Sequence, residues 1–88
     1  MAKVEEIRKK LADCISFLAP YSGYGGLVVQ SLEDLKKMEE LMKEPTKENA
    51  AECLQILQEL ESRVGPYASY IPDVIVNLTF VKEELKKI

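Results

Sequence analysis

Four tyrosines are the residues of this sequence whose type and spacing best suit a binding site. They form two Pro-Tyr-x-x-Tyr motifs, at residues 20–24 and 66–70, which lie 46 residues apart. A tyrosine ring offers a flat apolar surface with a polar hydroxyl group, so clustered tyrosines suit an aromatic docking patch. The alternative is that the rings cover the open end of a core while their hydroxyl groups stay in water. The candidate partner-binding residues are Tyr21, Tyr24, Tyr67 and Tyr70.

Catalytic chemistry is disfavoured by the residue content. The sequence contains no histidine, which removes Ser-His and Cys-His nucleophile pairs and the usual transition-metal sites. Cys14 and Cys53 fall on apolar helical stripes and form no Cys-x-x-Cys motif, which indicates buried, reduced thiols; a disulfide or a redox role is the alternative. We predict a protein that is not an enzyme and has no cofactor and no metal site.

The charge pattern disfavours nucleic acid and membranes as partners. The 88 residues include 12 Lys and Arg against 15 Asp and Glu, a formal charge of −3, and the lysines alternate with acidic residues instead of forming a basic face. The chain shows neither the apolar run of a membrane span nor that of a signal peptide. We therefore expect a cytoplasmic protein.

Apolar residues recur at helical spacing in four segments, 4–18, 28–42, 50–64 and 74–88. Pro20 with the glycines after it, Pro45, and Gly65 at a C′ position with Pro66 separate the segments, and Thr46 is a plausible N-cap. The start of helix two stays open: its stripe begins at Val28, but Ser31 could cap a later start, in which case residues 27–29 belong to the loop. Residues 74–81 are rich enough in β-branched side chains to form a strand on propensity alone, but the internal repeat described next favours a helix.

The two halves of the chain resemble each other. When residues 1–42 are compared with 47–88 without a gap, nine positions are identical and the helical phase is kept. We interpret this as a duplicated αα-hairpin, with coincidence as the alternative. The prediction is an all-α, antiparallel up-down-up-down four-helix bundle in one domain, with hairpin one at 1–44 and hairpin two at 46–88. In that topology the four tyrosines meet at one end.

Helix four carries more apolar residues than one core requires. Between residues 74 and 81 only Asn77 and Thr79 are polar, and a helix that is apolar all round is usually buried all round. We therefore expect Ile75, Val76 and Phe80 to contact a partner protein, which favours a self-associating module and a possible homodimer. A wide core face with scattered exposed residues is the alternative, and a small regulator that binds one protein target is another reading of the same surface.

Two short segments resemble known families. "VGPYASYIPDVIVNL" resembles the junction between helices in HEAT-type solenoids, and the 46-residue period lies in the range of that family. "SLED" at 31–34 is similar to the Asp-Ser-Leu signature of acyl carrier proteins, although Gln30 stands where the aspartate should be. The second resemblance implies an acyl-carrier-like domain in which Ser31 would carry phosphopantetheine.

Overall fold

The computed structural model describes residues 2–88, which form four α-helices and two short 3₁₀ helices. No strand occurs within this range, so residues 74–81 are helical and the strand alternative is excluded. None of these helices combines the length and the apolarity needed to cross a bilayer. The elements in chain order are α1 Val4–Leu18, a 3₁₀ helix Ala19–Tyr24, α2 Gly26–Leu41, α3 Lys47–Val64, a second 3₁₀ helix Gly65–Tyr70, and α4 Pro72–Leu85.

The helices pack as a closed ring of neighbours. The first helix packs against α2 and α4, and α3 packs against the same two helices. At one edge the backbone N–H of Lys3, just before α1, donates a 2.9 Å hydrogen bond to Glu84 Oε1 near the end of α4. At another, Asn49 Nδ2 in the first turn of α3 donates a 3.1 Å bond to the carbonyl of Leu41, the last residue of α2. These contacts bring helix starts to helix ends, as antiparallel packing requires, and the predicted all-α bundle is confirmed.

The helix bounds repeat at the interval found in the sequence. The first and third helices end at Leu18 and Val64, and α2 and α4 begin at Gly26 and Pro72, so both pairs of boundaries are 46 residues apart. Buried positions repeat at the same interval: the buried residues of α1 have buried equivalents 46 residues later, in α3. These matched core positions are Ile7 with Cys53, Leu11 with Leu57, Cys14 with Leu60, and Leu18 with Val64. Two similar hairpins therefore share one core.

The connections within the hairpins differ from the expected turns. Pro20 and Pro66 each lie in the first turn of a 3₁₀ helix, where the missing N–H and the fixed φ of proline cost nothing. Gly65 has φ −49° and ψ −47°, so the left-handed C′ position expected there is wrong: the chain continues right-handed into the 3₁₀ helix. The left-handed glycine is Gly25, with φ 137°, immediately before α2.

Both helix starts in the middle of the chain are now defined. The second helix begins at Gly26, so residues 27–29 are helical and Ser31 is not its N-cap. The hydroxyl group of Ser31 instead donates a 2.8 Å bond to the carbonyl of Leu27 one turn earlier. The predicted N-cap of α3 is confirmed, because Thr46 Oγ1 accepts a 3.1 Å hydrogen bond from the backbone N–H of Asn49.

Candidate functional site

The two 3₁₀ helices lie at the same end of the bundle, and all four tyrosines line one cavity there. Its volume is about 480 Å³, and we call it the tyrosine pocket. This confirms that the tyrosines come together at one end; their binding role stays a prediction. The remaining lining residues are Phe17, Leu18, Leu27, Val28, Ser31, Val64 and Ile71.

The tyrosines form two levels of the pocket wall. Tyr24 and Tyr70 are 81% and 79% exposed and form the rim, whereas Tyr21 and Tyr67 are 46% and 48% exposed and lie deeper. Equivalent residues of the two hairpins therefore take equivalent levels. Below them lie buried residues of the core, including Leu18 and Val64, so the pocket opens from solvent directly onto the end of the core.

The aromatic rings of the first hairpin pack on one another but not on those of the second, within residues 2–88. Phe17 and Tyr21 have ring centroids 6.1 Å apart, and Tyr21 and Tyr24 have centroids 5.9 Å apart, both in tilted arrangements. Within residues 2–88 no ring pair joins Tyr21 or Tyr24 to Tyr67 or Tyr70. The tyrosines thus do not close over the core by stacking on one another, and the space between the two sets is the cavity.

The polar groups of the pocket are hydroxyl groups. No charged side chain belongs to its wall among the described residues, and its one non-aromatic hydroxyl group is that of Ser31. Ser31 is only 2% exposed, and its proton is committed to the carbonyl of Leu27, so the oxygen retains lone pairs that can accept a hydrogen bond. A buried serine in the second turn of α2 does not present the accessible hydroxyl group that phosphopantetheine attachment would need.

Three wall residues were missed by sequence reasoning: Phe17, Leu27 and Ile71. Phe17 stands four residues before Tyr21, so the helical spacing of aromatic residues was a usable signal once the helix is known to continue into a 3₁₀ helix. Leu27 follows two glycines and Ile71 precedes Pro72, so helical spacing alone predicts no face for either residue.

The candidate residues on α4 lie outside this pocket. Val76 is 66% exposed, whereas Ile75 and Phe80 are half-buried and pack at the edges of the helix. The ammonium group of Lys10 in α1 lies 5.8 Å from the centroid of the Phe80 ring, which covers part of that ring with a cation. The outer face of α4 therefore offers one prominent apolar side chain flanked by two partly covered ones.

The cysteines offer no reactive group. Cys14 and Cys53 are buried and unpaired, as the sequence predicted. Removal from water raises the pKa of each thiol to about 11, because burial disfavours the thiolate. Within residues 2–88 no three side chains of the His, Cys, Asp and Glu types group together to hold a metal ion.

Comparison with known proteins supplies no relative for this chain. It matches no protein family, no curated protein and no solved structure. The candidate site therefore depends on the geometry of this molecule itself.

Proposed function

We propose that this protein is a small non-enzymatic helical module that binds another protein by taking up a group of that partner in the tyrosine pocket. The observation that carries the proposal is the concentration of exposed rings around one cavity. Among residues 2–88, seven large apolar or aromatic side chains are exposed, and five of them, Phe17 and the four tyrosines, line this pocket. A volume of about 480 Å³ lies in the range of ligand-binding pockets.

The alternative, that the rings simply cover the core, fits the geometry less well. Rings that serve as a lid would gain most by packing across the bundle end, where each buried aromatic ring removes a large apolar area from water. Here Tyr24 and Tyr70 remain largely exposed, and within residues 2–88 no ring pair joins the tyrosines of one hairpin to those of the other. A partner that fills the pocket would bury these rings, which is how aromatic residues contribute most to interfaces.

Residue chemistry supports binding over catalysis. In the described part of the chain, the pocket wall offers aliphatic groups, aromatic rings and hydroxyl groups, but no carboxylate, imidazole or amine that could act as an acid or base at neutral pH. The two thiols lie in the core with a pKa of about 11, too high for them to act as nucleophiles. Because unpaired thiols persist in reducing compartments, we also propose a cytoplasmic location.

An affinity experiment with three baits tests this function. The baits are the parent chain, the Tyr24→Ser/Tyr70→Ser variant and the Val76→Glu variant. The two tyrosines are exposed, so their replacement should leave the fold intact, which circular dichroism would verify. We expect at least one protein to bind the parent and Val76→Glu baits but not the tyrosine variant. Identical protein sets on all three baits would contradict the proposal.

Self-association through helix four is a second candidate. Its supporting observation is Val76, 66% exposed between the half-buried side chains of Ile75 and Phe80. A twofold contact between two copies of this face would bury Val76 against its counterpart and extend over both neighbours. Sedimentation of the isolated chain distinguishes this homodimer from a monomer that binds a different protein.

A further inference from the structure

We propose that the group taken up by the tyrosine pocket is an organic cation without N–H donors, namely a quaternary ammonium group. This inference rests on the proposed function, since it identifies the chemistry that the same pocket recognises. It depends on two features of the molecule: the aromatic wall of the pocket, and the uneven distribution of charge along the bundle.

The wall provides aromatic rings, the groups that attract such a cation. Five aromatic rings surround the cavity, and no lysine or arginine side chain lines it within the described residues. The face of an aromatic ring carries partial negative charge, and it attracts a cation placed within about 6 Å of the ring centroid. Several rings around one cavity give one cation several such contacts.

The distribution of charged residues along the bundle also favours a cationic ligand. We call residues 11–35 and 57–81, which include every described residue of the pocket wall, the pocket half; Lys10, Lys36 and Lys82 each lie one residue outside these ranges. This half contains six carboxylates and one basic residue, Arg63, a formal charge of −5. The remaining residues contain eleven basic and nine acidic side chains, a charge of +2, which restores the total of −3. The pocket therefore opens at the more acidic end of the bundle, and the summed field there attracts cations.

Ion pairing leaves most of this negative charge uncompensated. Arg63 pairs with Asp34, and Lys82 pairs with Glu61 at 3.5 Å. Four carboxylates of the pocket half are exposed and form no ion pair within residues 2–88: Asp13, Glu33, Glu59 and Asp73. An anionic ligand would meet this field with no cationic side chain in the pocket wall among residues 2–88, so anions are disfavoured.

The absence of N–H donors in the ligand follows from the composition of the wall. A primary ammonium group has three N–H donors that lose water on entering the pocket. Among residues 2–88 the wall offers neutral hydroxyl oxygens as acceptors but no carboxylate, so it replaces that water only in part. A quaternary ammonium group is covered by methyl groups, so it loses less hydration and its methyl groups pack against Leu18, Val64 and the rings. A neutral group of the same shape would gain the packing but not the attraction to the rings.

The test compares two probes of equal shape. Choline carries the charge, and 3,3-dimethyl-1-butanol replaces its nitrogen by carbon. Binding is measured by titration of the ¹⁵N-labelled protein at low salt, following amide shifts in the two 3₁₀ helices. We expect choline to bind about tenfold more tightly than the neutral probe, given the usual strength of a desolvated cation–ring contact. A short peptide with one trimethyllysine, compared with its unmethylated form, shows whether the cation comes from a small molecule or a modified protein.

Two matched double variants separate ring faces from general apolarity. Tyr24→Phe/Tyr70→Phe keeps both rings, so it should retain choline binding. Tyr24→Leu/Tyr70→Leu keeps an apolar rim without rings, so it should weaken choline about tenfold and leave the neutral probe nearly unchanged.

The inference is overturned if the neutral probe binds as tightly as choline, if the leucine variant retains choline affinity, or if neither cationic probe shifts the pocket resonances at millimolar concentration. Tight binding of the neutral probe would still agree with an apolar group entering the pocket. The proposed function fails separately, if the three baits retain the same proteins.

Discussion

Phe17 and Arg63 occupy equivalent positions in the two hairpins, 46 residues apart, but Phe17 contacts an aromatic ring whereas Arg63 contacts a carboxylate. The ring of Phe17 packs on Tyr21 with centroids 6.1 Å apart and forms part of the pocket wall. The guanidinium group of Arg63 forms an ion pair with Asp34 of α2, and Arg63 is not a wall residue. A nearly symmetric framework thus yields an asymmetric pocket, and the pairing with Asp34 engages the one cation of the pocket half.

We expect the substitution Arg63→Ala to destabilise the fold. Asp34 and Arg63 have side chains only 14% and 23% exposed, so the variant leaves a mostly buried carboxylate without its partner. The free energy of unfolding, measured with urea and circular dichroism, should fall by about 1–2 kcal/mol. Lys82→Ala is the matched control, because its ion pair with Glu61 is more exposed and should contribute less than about 0.5 kcal/mol. Equal losses would show that the Arg63 pair is no stronger than a surface pair.

The core could be predicted from the sequence because a helix that is buried on one side carries apolar residues at a regular spacing. Apolar residues at spacings of three and four identified α1 and α3 to within a few residues, and the 46-residue repeat resolved the helix-or-strand ambiguity of residues 74–81. The repeat together with an antiparallel topology also placed the tyrosines at one end.

The connections could not be predicted because proline and glycine are compatible with several conformations. Pro20 and Pro66 end an α-helix equally well by a turn or by a 3₁₀ helix, and the sequence favours neither. The pocket itself depends on this choice, since the 3₁₀ helices determine how far each tyrosine ring lies from the core. Ion pairs such as Arg63 with Asp34 join residues 29 positions apart and leave no periodic pattern.

Acid should destabilise the protein partly through Glu84. Its carboxylate is buried; it accepts a 2.7 Å hydrogen bond from Lys87 Nζ and a second from the backbone N–H of Lys3, which together lower its pKa below the usual 4.5. Because the folded state binds this proton less tightly than the unfolded chain, the stabilisation is complete above pH 4.5 and is lost as the pH falls through the lowered pKa.

The substitution Glu84→Gln removes this titration. The free energy of unfolding, measured from neutral pH downward, should be lower than that of the parent at neutral pH and should fall less steeply below pH 4.5. Glu83→Gln is the control, because Glu83 is exposed and its bond to Lys86 Nζ is 3.3 Å long. A Glu84→Gln curve parallel to that of the parent would contradict the role assigned to this carboxylate.

The two thiols should react only when the protein opens. Cys14 and Cys53 are 0% exposed, and with a pKa of about 11 they remain protonated at pH 8. Ellman's reagent should therefore modify both within seconds in denaturant, but at a much slower rate in the native protein that tracks the opening equilibrium. Rapid modification of either thiol in the native protein would mean that the core opens at that position without global unfolding.

Helix four is tested by two substitutions on opposite faces. Leu78 is buried in the core, so Leu78→Glu should unfold the chain whatever its oligomeric state. Val76 is exposed in the isolated chain, so Val76→Glu should leave it folded and, if two copies pair through this face, convert a dimer into a monomer. Analytical ultracentrifugation with circular dichroism measures both. A parent chain that already sediments as a monomer at high concentration would eliminate the homodimer.

The gathering of all four tyrosines at the pocket has a spectroscopic consequence. The sequence contains no tryptophan, so the intrinsic fluorescence of the protein comes from these four rings, with almost none from the core of aliphatic and sulfur-containing side chains. Emission and near-ultraviolet dichroism of the unlabelled, unmodified chain therefore report occupancy of one small region directly. For the same reason these two signals respond to changes at the pocket as well as to unfolding, and far-ultraviolet dichroism is the better measure of the folded fraction.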